Sequence, residues 1–338
     1  MERNIRGARR LLRICGVLLV AWFGATAQAQ WLRAESDHVV VYGDTDEKVL
    51  RAFVHKLERF HTLLEYRLPG RKPEVVSKLT VYLVRNRHDL MRALPGVDER
   101  VAGLYRPSPD GIRAIAQAKR AHRRDEDDVT LHEYTHHFMA QRYPQGGPSW
   151  ITEGFAEYFA TADVVGRRIT VGKPNGGRAV DLILGANMWI DFDRILTGTA
   201  WDGNREHAGM FYAQSWLLTH YLLNSKERWA AAQHVLAAAR DGESPVQAFE
   251  THLGLSMSDL RQELIKYAER KIQFSVLDIS LPEPPITITL LPASADKMML
   301  ANIAFEMGFN DDDSLDAIRT GLKRFPTDAV TTRPLFFA

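Results

Sequence analysis

The chain has almost no cysteine. Of its 338 residues only Cys15 is one, and it falls inside an N-terminal segment with the pattern of an export signal. No disulfide framework can form, and the rest of the chain has neither thiolate catalysis nor cysteine-ligated zinc open to it. An excess of one charge is missing too: 43 Lys and Arg stand against 42 Asp and Glu, a net charge of +1. Nothing in that balance favours nucleic acid or a strongly acidic partner. The apolar run at residues 14–24 is too short to span a bilayer comfortably, so no stable membrane span is expected once the N-terminal segment is removed.

That segment has three parts. Arg3, Arg6, Arg9, Arg10 and Arg13 give a positive start, residues 14–24 an apolar core, and Ala27-Gln28-Ala29 a small-residue cleavage pattern. It reads as a signal peptide over 1–29, cleaved near Ala29, which implies a periplasmic or secreted protein. An uncleaved N-terminal anchor is the alternative. Arg9-Arg10 hints at twin-arginine export, but its neighbours fit the general route better. Arg13-Ile14 before Cys15 does not form a lipobox.

From Trp31 onward, strand and helix patterns alternate. His38 to Tyr42 is a β-branched run. Val49, Leu50, Phe53, Leu57, Phe60 and Leu64 recur at helical spacing, and Leu79 to Val84 form a second strand with a short helix after it. Residues 101–105 and 112–115 flank Pro107-Ser108-Pro109-Asp110-Gly111 and predict a hairpin. Asp125-Glu126-Asp127-Asp128 open the next helix at its positive dipole end; a calcium site there lacks any supporting pattern.

The chemistry concentrates in that helix and its successor. Leu131-His132-Glu133-Tyr134-Thr135-His136-His137 carries two histidines four residues apart, which one helix face presents to a single ion. Glu133 is rotated about 100° from His132, so its carboxylate reaches the water beside an ion rather than the ion itself. The motif alone is short, and a solvated helix face would explain it. After the turn of residues 143–148 a second helix starts at about Ser149, a candidate N-cap, and carries Glu153 and Glu157, again four apart. They lie among Trp150, Ile151, Phe155, Tyr158 and Phe159, a segment too apolar for two surface acids, so a dication is the better partner. Glu153 is the expected third ligand. Glu157, one turn on, is placed to accept the ring N–H of a ligating histidine.

His132-Glu133-x-x-His136 with Trp150-Ile151-Thr152-Glu153-Gly154 resembles the gluzincin zinc metallopeptidases, and more closely the bacterial peptidase MA-like proteins of thermolysin-like catalytic architecture. The resemblance implies Zn2+ on His132, His136 and Glu153, with Glu133 as general base. Sixteen residues separate His136 from Glu153, slightly fewer than in the best-known members, so the turn is tighter. The family commonly sets a donor opposite the zinc to stabilise the oxyanion. Tyr212, in a Tyr-Ala-Gln-Ser-Trp run similar to one in MA-like proteins, is the candidate, with His207, His220 and Tyr221 as substitutes. The edge of the hairpin at 101–115 would pair with an extended peptide, the alternative being a structural hairpin with a solvent-facing edge.

The expected fold class is α+β: a small mixed αβ front half with a hairpin edge, a zinc-binding helix pair, a mostly helical back half and a short tetratricopeptide-like helix pair. The expected divisions are 1–29 signal, 30–275 catalytic domain (αβ to about 163), 276–293 Pro-rich linker and 294–338 helix pair and tail. Residues 167–185 are expected as loop or short strand, and 206–223, 227–240 and 258–271 as helices. One helix pair cannot bury its own face, so 294–338 must dock on the catalytic part or on a protein partner. The implied function is peptide-bond hydrolysis by zinc-activated water, with a peptide or protein substrate. The rivals are a non-catalytic zinc-containing scaffold and a hydrolase of a non-peptide amide.

Overall fold

The computed structural model describes residues 30–68, 77–98, 101, 103–108, 111–118, 124–165, 167–200, 205–270, 272–309 and 311–328. The signal-like segment and the tail at 331–338 lie outside these, as do the side chains of Asp125 to Asp128 and of His207. Among the described residues no helix is long and apolar enough to cross a membrane.

The front half is a six-stranded sheet in the order β4-β5-β3-β2-β1-β9. Its strands are β1 (Trp31–Glu35), β2 (Val39–Asp44), β3 (Leu79–Val84), β4 (Gly103–Ser108), β5 (Gly111–Gln117) and, from near the C-terminus, β9 (Thr287–Leu290). The inner pairs β2·β3 and β3·β5 are parallel, and β1·β2, β1·β9 and β4·β5 are antiparallel. Leu79 to Val84 read as a continuous apolar run because this strand is covered on both faces. Val81 and Leu83 face a layer built by α1 (Glu47–Arg67) and α3 (Arg124–Arg142), while Tyr82 and Val84 face α2 (Arg87–Ala93), α11 (Ala295–Glu306) and α12 (Asp312–Arg324). Helix α1 offers Leu50, Phe53, Val54, Leu57, Phe60 and Leu64 along one stripe, each nearly inaccessible to solvent. Burying one such side chain contributes about 1.5–3 kcal/mol.

The back half is helical around α7 (Arg205–Leu223). Helix α4 (Ser149–Ala160) packs along it, with α5 (Gly176–Leu184), α6 (Phe192–Leu196), α8 (Lys226–Arg240), α9 (Pro245–Leu253) and α10 (Met257–Glu269) completing the layer. A second antiparallel sheet, β6 (Asp163–Val165), β7 (Arg168–Val171) and β8 (Ser275–Asp278), closes one side. The α+β class is as expected.

Four local readings change. Residues 167–185 hold the short strand expected, β7, but also a helix, α5, where no helix was expected. Its start is set by Asn175, whose Oδ1 accepts the Gly177 N–H at 3.0 Å and whose carbonyl accepts that of Ala179. The glycines Gly176 and Gly177 had masked that cap. Helix α9 was not foreseen, although Pro245 stands in its first turn and Gly254, at φ 69°, closes it. Ser149 is not the N-cap of α4. Pro148 takes that place, its carbonyl accepting the N–H groups of Ile151 and Thr152, and the Ser149 hydroxyl is buried without a hydrogen bond to described residues. Across 276–293, expected as a linker, the chain adds β8 to the small sheet and β9 to the large one. The α11–α12 pair then lies on the large sheet, with Met298, Met299, Ile303, Met307 and Ile318 against Tyr82, Val84 and Ile115.

Candidate metal centre

Helix α3 is fixed from behind before it presents anything to the front. Tyr134, fully buried, meets His61 Nδ1 of α1 at 2.9 Å, and His61 stacks on His38 at 3.5 Å. His38 Nδ1 lies 2.7 Å from Glu58, which also accepts from the Ser36 hydroxyl at 2.6 Å and the His38 backbone at 2.8 Å. Arg142, at the end of α3, pairs with Glu65. The third histidine of the motif, His137, turns away from the other two and meets Gln141 Nε2 at 2.8 Å.

The chain then reverses through Gly146, whose φ of 71° lies in the left-handed region that glycine tolerates best, with its N–H donated to the Tyr143 carbonyl. This brings α4 back across α3. Gly154, beside the candidate ligand, is demanded by packing: a Cβ there would sit 2.0 Å from Thr219 Oγ1 and 2.5 Å from the Ser215 carbonyl of α7. The Glu-Gly pair therefore has a steric meaning. Only glycine lets α7 approach closely enough to hold Glu153 in place.

His132, His136 and Glu153 meet in one group whose ligand atoms could hold a metal ion. The two Nε2 atoms are 3.1 Å apart, and Glu153 Oε2 is 3.4 Å from that of His132 and 3.3 Å from that of His136. The side chains are 16%, 20% and 22% exposed, so the group is reachable from one side. Glu153 Oε2 is itself buried and has no well-formed hydrogen bond. A buried carboxylate oxygen without a donor, facing two imidazole nitrogens, fits a cation better than it fits the residues around it. Burial alone would raise the Glu153 carboxyl, but His132 and His136 together bring it down to about 2. Burial works against a charged His132, yet Glu153, Glu157 and Glu133 outweigh it and raise its pKa.

Around this group stand four further side chains. Glu157 Oε1 lies 3.6 Å from His132 Nδ1, on the far side of the ring from Glu153. Arg178 of α5, which sequence reading missed, clamps Glu157 with two bonds, Nε to Oε2 at 3.1 Å and Nη2 to Oε1 at 2.7 Å. Its guanidinium also lies over the Tyr212 ring at 4.9 Å. The Tyr212 ring meets that of His132 edge-on at 6.2 Å, and its phenol is pushed up to about 12 by burial and then by the Glu153 charge. Glu133 has no ion pair with described residues. Burial raises its pKa, Glu153 adds to this, and the two histidines oppose it.

Two of the substitutes for Tyr212 are elsewhere, and the side chain of the third, His207, lies outside the described residues. His220 bonds Tyr267 at 2.9 Å beside Trp216, and Tyr221 packs on Tyr267 under Arg228. Both belong to the helical core. No family model matches the chain, and no curated protein matches it.

Proposed function

We propose that the chain is a zinc-dependent hydrolase of gluzincin type, most simply a metallopeptidase acting outside the cytoplasm on a peptide or protein substrate. The observation that carries this reading is the ligand triangle. Donors at about 2.05 Å from a tetrahedral zinc sit about 3.4 Å from one another, and the three measured edges are 3.1, 3.3 and 3.4 Å. Three protein donors with an open side are the pattern of a catalytic rather than a structural zinc. When bound, the ion supplies Lewis acidity at that open side.

The chain's own residues supply the remainder. Glu133, whose carboxyl burial raises, takes a proton from the attacking water and passes it to the leaving nitrogen. Tyr212 stays protonated and is the donor offered to negative charge developing on the carbonyl oxygen. Glu157 holds the His132 ring through Nδ1, and Arg178 holds Glu157.

Metal analysis and casein cleavage on the chain lacking residues 1–29, beside Glu133→Gln, test the reading. It expects stoichiometric zinc in both proteins and turnover lowered by about 100-fold or more in the variant. Zinc in both with cleavage by neither would point instead to a non-catalytic zinc protein.

A further inference from the structure

Strand β4 carries a tyrosine that the proposed chemistry leaves unused. Neighbouring side chains on a strand point to opposite faces. Leu104 joins the apolar cluster under α11, and the Arg106 guanidinium donates to the Met307 carbonyl just beyond that helix. Tyr105, between them, therefore faces the other layer, where it packs against the cluster that includes Leu131, Tyr134 and Phe138 of α3. Its hydroxyl oxygen is closed off from solvent and has no hydrogen-bond partner among the described residues. Burial, and then the charge of Glu133, push the phenol far above its ordinary value, so the group keeps its proton and has it to donate.

The strand holding it is anchored. On β5, Arg113 Nε lies 2.9 Å from Glu306 Oε2 in an ion pair whose side chains are 7% and 2% exposed, and the Tyr82 hydroxyl donates to the same carboxylate. With Arg106 tied to Met307, the hairpin is fixed from below by the C-terminal helix pair, and both of its strands pack on α3. A buried donor on a rigid strand stands beside a helix whose acid, Glu133, has no ion pair with described residues.

We propose that Tyr105 is a positioning residue for Glu133: its hydroxyl donates to one oxygen of the Glu133 carboxylate as that side chain turns toward the metal group, leaving the other oxygen aimed at the attacking water. A carboxylate has about four acceptor sites, so one bond does not block the other. This rests on Glu133 being the base. Tyr105→Phe removes one hydroxyl and keeps the ring, so the fold survives and the effect falls on orientation alone. The expected loss is about tenfold in kcat, with KM and zinc content unchanged.

Two measurements test it. In protein labelled at the tyrosine ring Cζ, the Tyr105 resonance, assigned by its loss in Tyr105→Phe, should shift when Zn2+ is added to the wild type and should not shift in Glu133→Ala. On fluorescein-labelled casein, Tyr105→Phe should show the tenfold fall in kcat alone. A resonance that ignores zinc, or shifts as much in Glu133→Ala, overturns the proposal, as does a change confined to KM. If the wild type cleaves no casein, the hydrolase reading fails while the resonance still decides whether Tyr105 bonds Glu133.

Discussion

Gly154→Ala is the smallest change that should dismantle the metal group from outside it. The added methyl carbon would stand 2.0 Å from Thr219 Oγ1 and 2.5 Å from the Ser215 carbonyl oxygen. The hydroxyl can rotate away, but the carbonyl belongs to the backbone of α7. A non-bonded carbon and oxygen settle at about 3.3 Å, so α4 and α7 must part by about 0.8 Å. Overpacking of this kind costs about 3 kcal/mol, a fall in Tm of about 6 °C for a chain of this size. Glu153 moves with α4, and a shift several times the ~0.2 Å tolerance of a metal bond should weaken zinc binding at least tenfold. Thermal unfolding of the metal-free chain reads the first number, and zinc competition against a chromophoric chelator reads the second. Adding Thr219→Ala should recover part of the stability, because one of the two clashes disappears. Unchanged Tm and unchanged zinc affinity in Gly154→Ala would refute the claim that helix spacing sets the ligand triangle.

Other expectations follow from the same geometry. Glu157→Gln weakens the acceptor beside His132 Nδ1 and should lower zinc affinity by about tenfold, measured by the same competition. Arg178→Ala leaves the Glu157 carboxylate, with 5% side-chain exposure, short of two donors. A stability loss of about 2 kcal/mol in denaturant unfolding is expected, and a loss below the resolution of the method would contradict it. Stability should also fall in mild acid. Burial, helped by the His38 charge, holds His61 at about 3, so below its ordinary value of 6.5 the unfolded chain binds a proton that the folded one refuses. From pH 6.5 to 4.5 this one group removes about 2 kcal/mol. Glu58, held near 2 by His38 and Ser36 against its burial, adds a further loss as pH drops below 4.5. Flat stability of the metal-free chain between pH 7 and 5 would argue against the first, and no further loss below pH 4.5 against the second.

The parts legible in the sequence were those written in short-range patterns. The 3.6-residue stripe of α1, the two-sided apolar run of β3, the HExxH spacing and the Glu153–Glu157 pair each need a window of fewer than about 20 residues. The missed parts depend on residues far apart in the chain. Arg178 is 21 positions from Glu157, in a stretch whose paired glycines suggested a loop. Glu306 is 193 positions from Arg113, so nothing local tied the helix pair to the hairpin. The Gly154 contact could be read as a motif letter, but its reason lies on α7, more than 60 residues later. Asn175 and Pro148 show a different limit: both are capping residues whose roles depend on where the helix begins, and boundaries are the weakest part of a pattern reading.

The central claim is that His132, His136 and Glu153 together grip one ion. Zinc measured by mass spectrometry after exhaustive dialysis, on wild type and on His136→Ala of equal helical content, tests it most directly. One zinc per wild-type chain and none in the variant is the predicted result. A wild type that retains no metal, or a variant that retains as much, would contradict it.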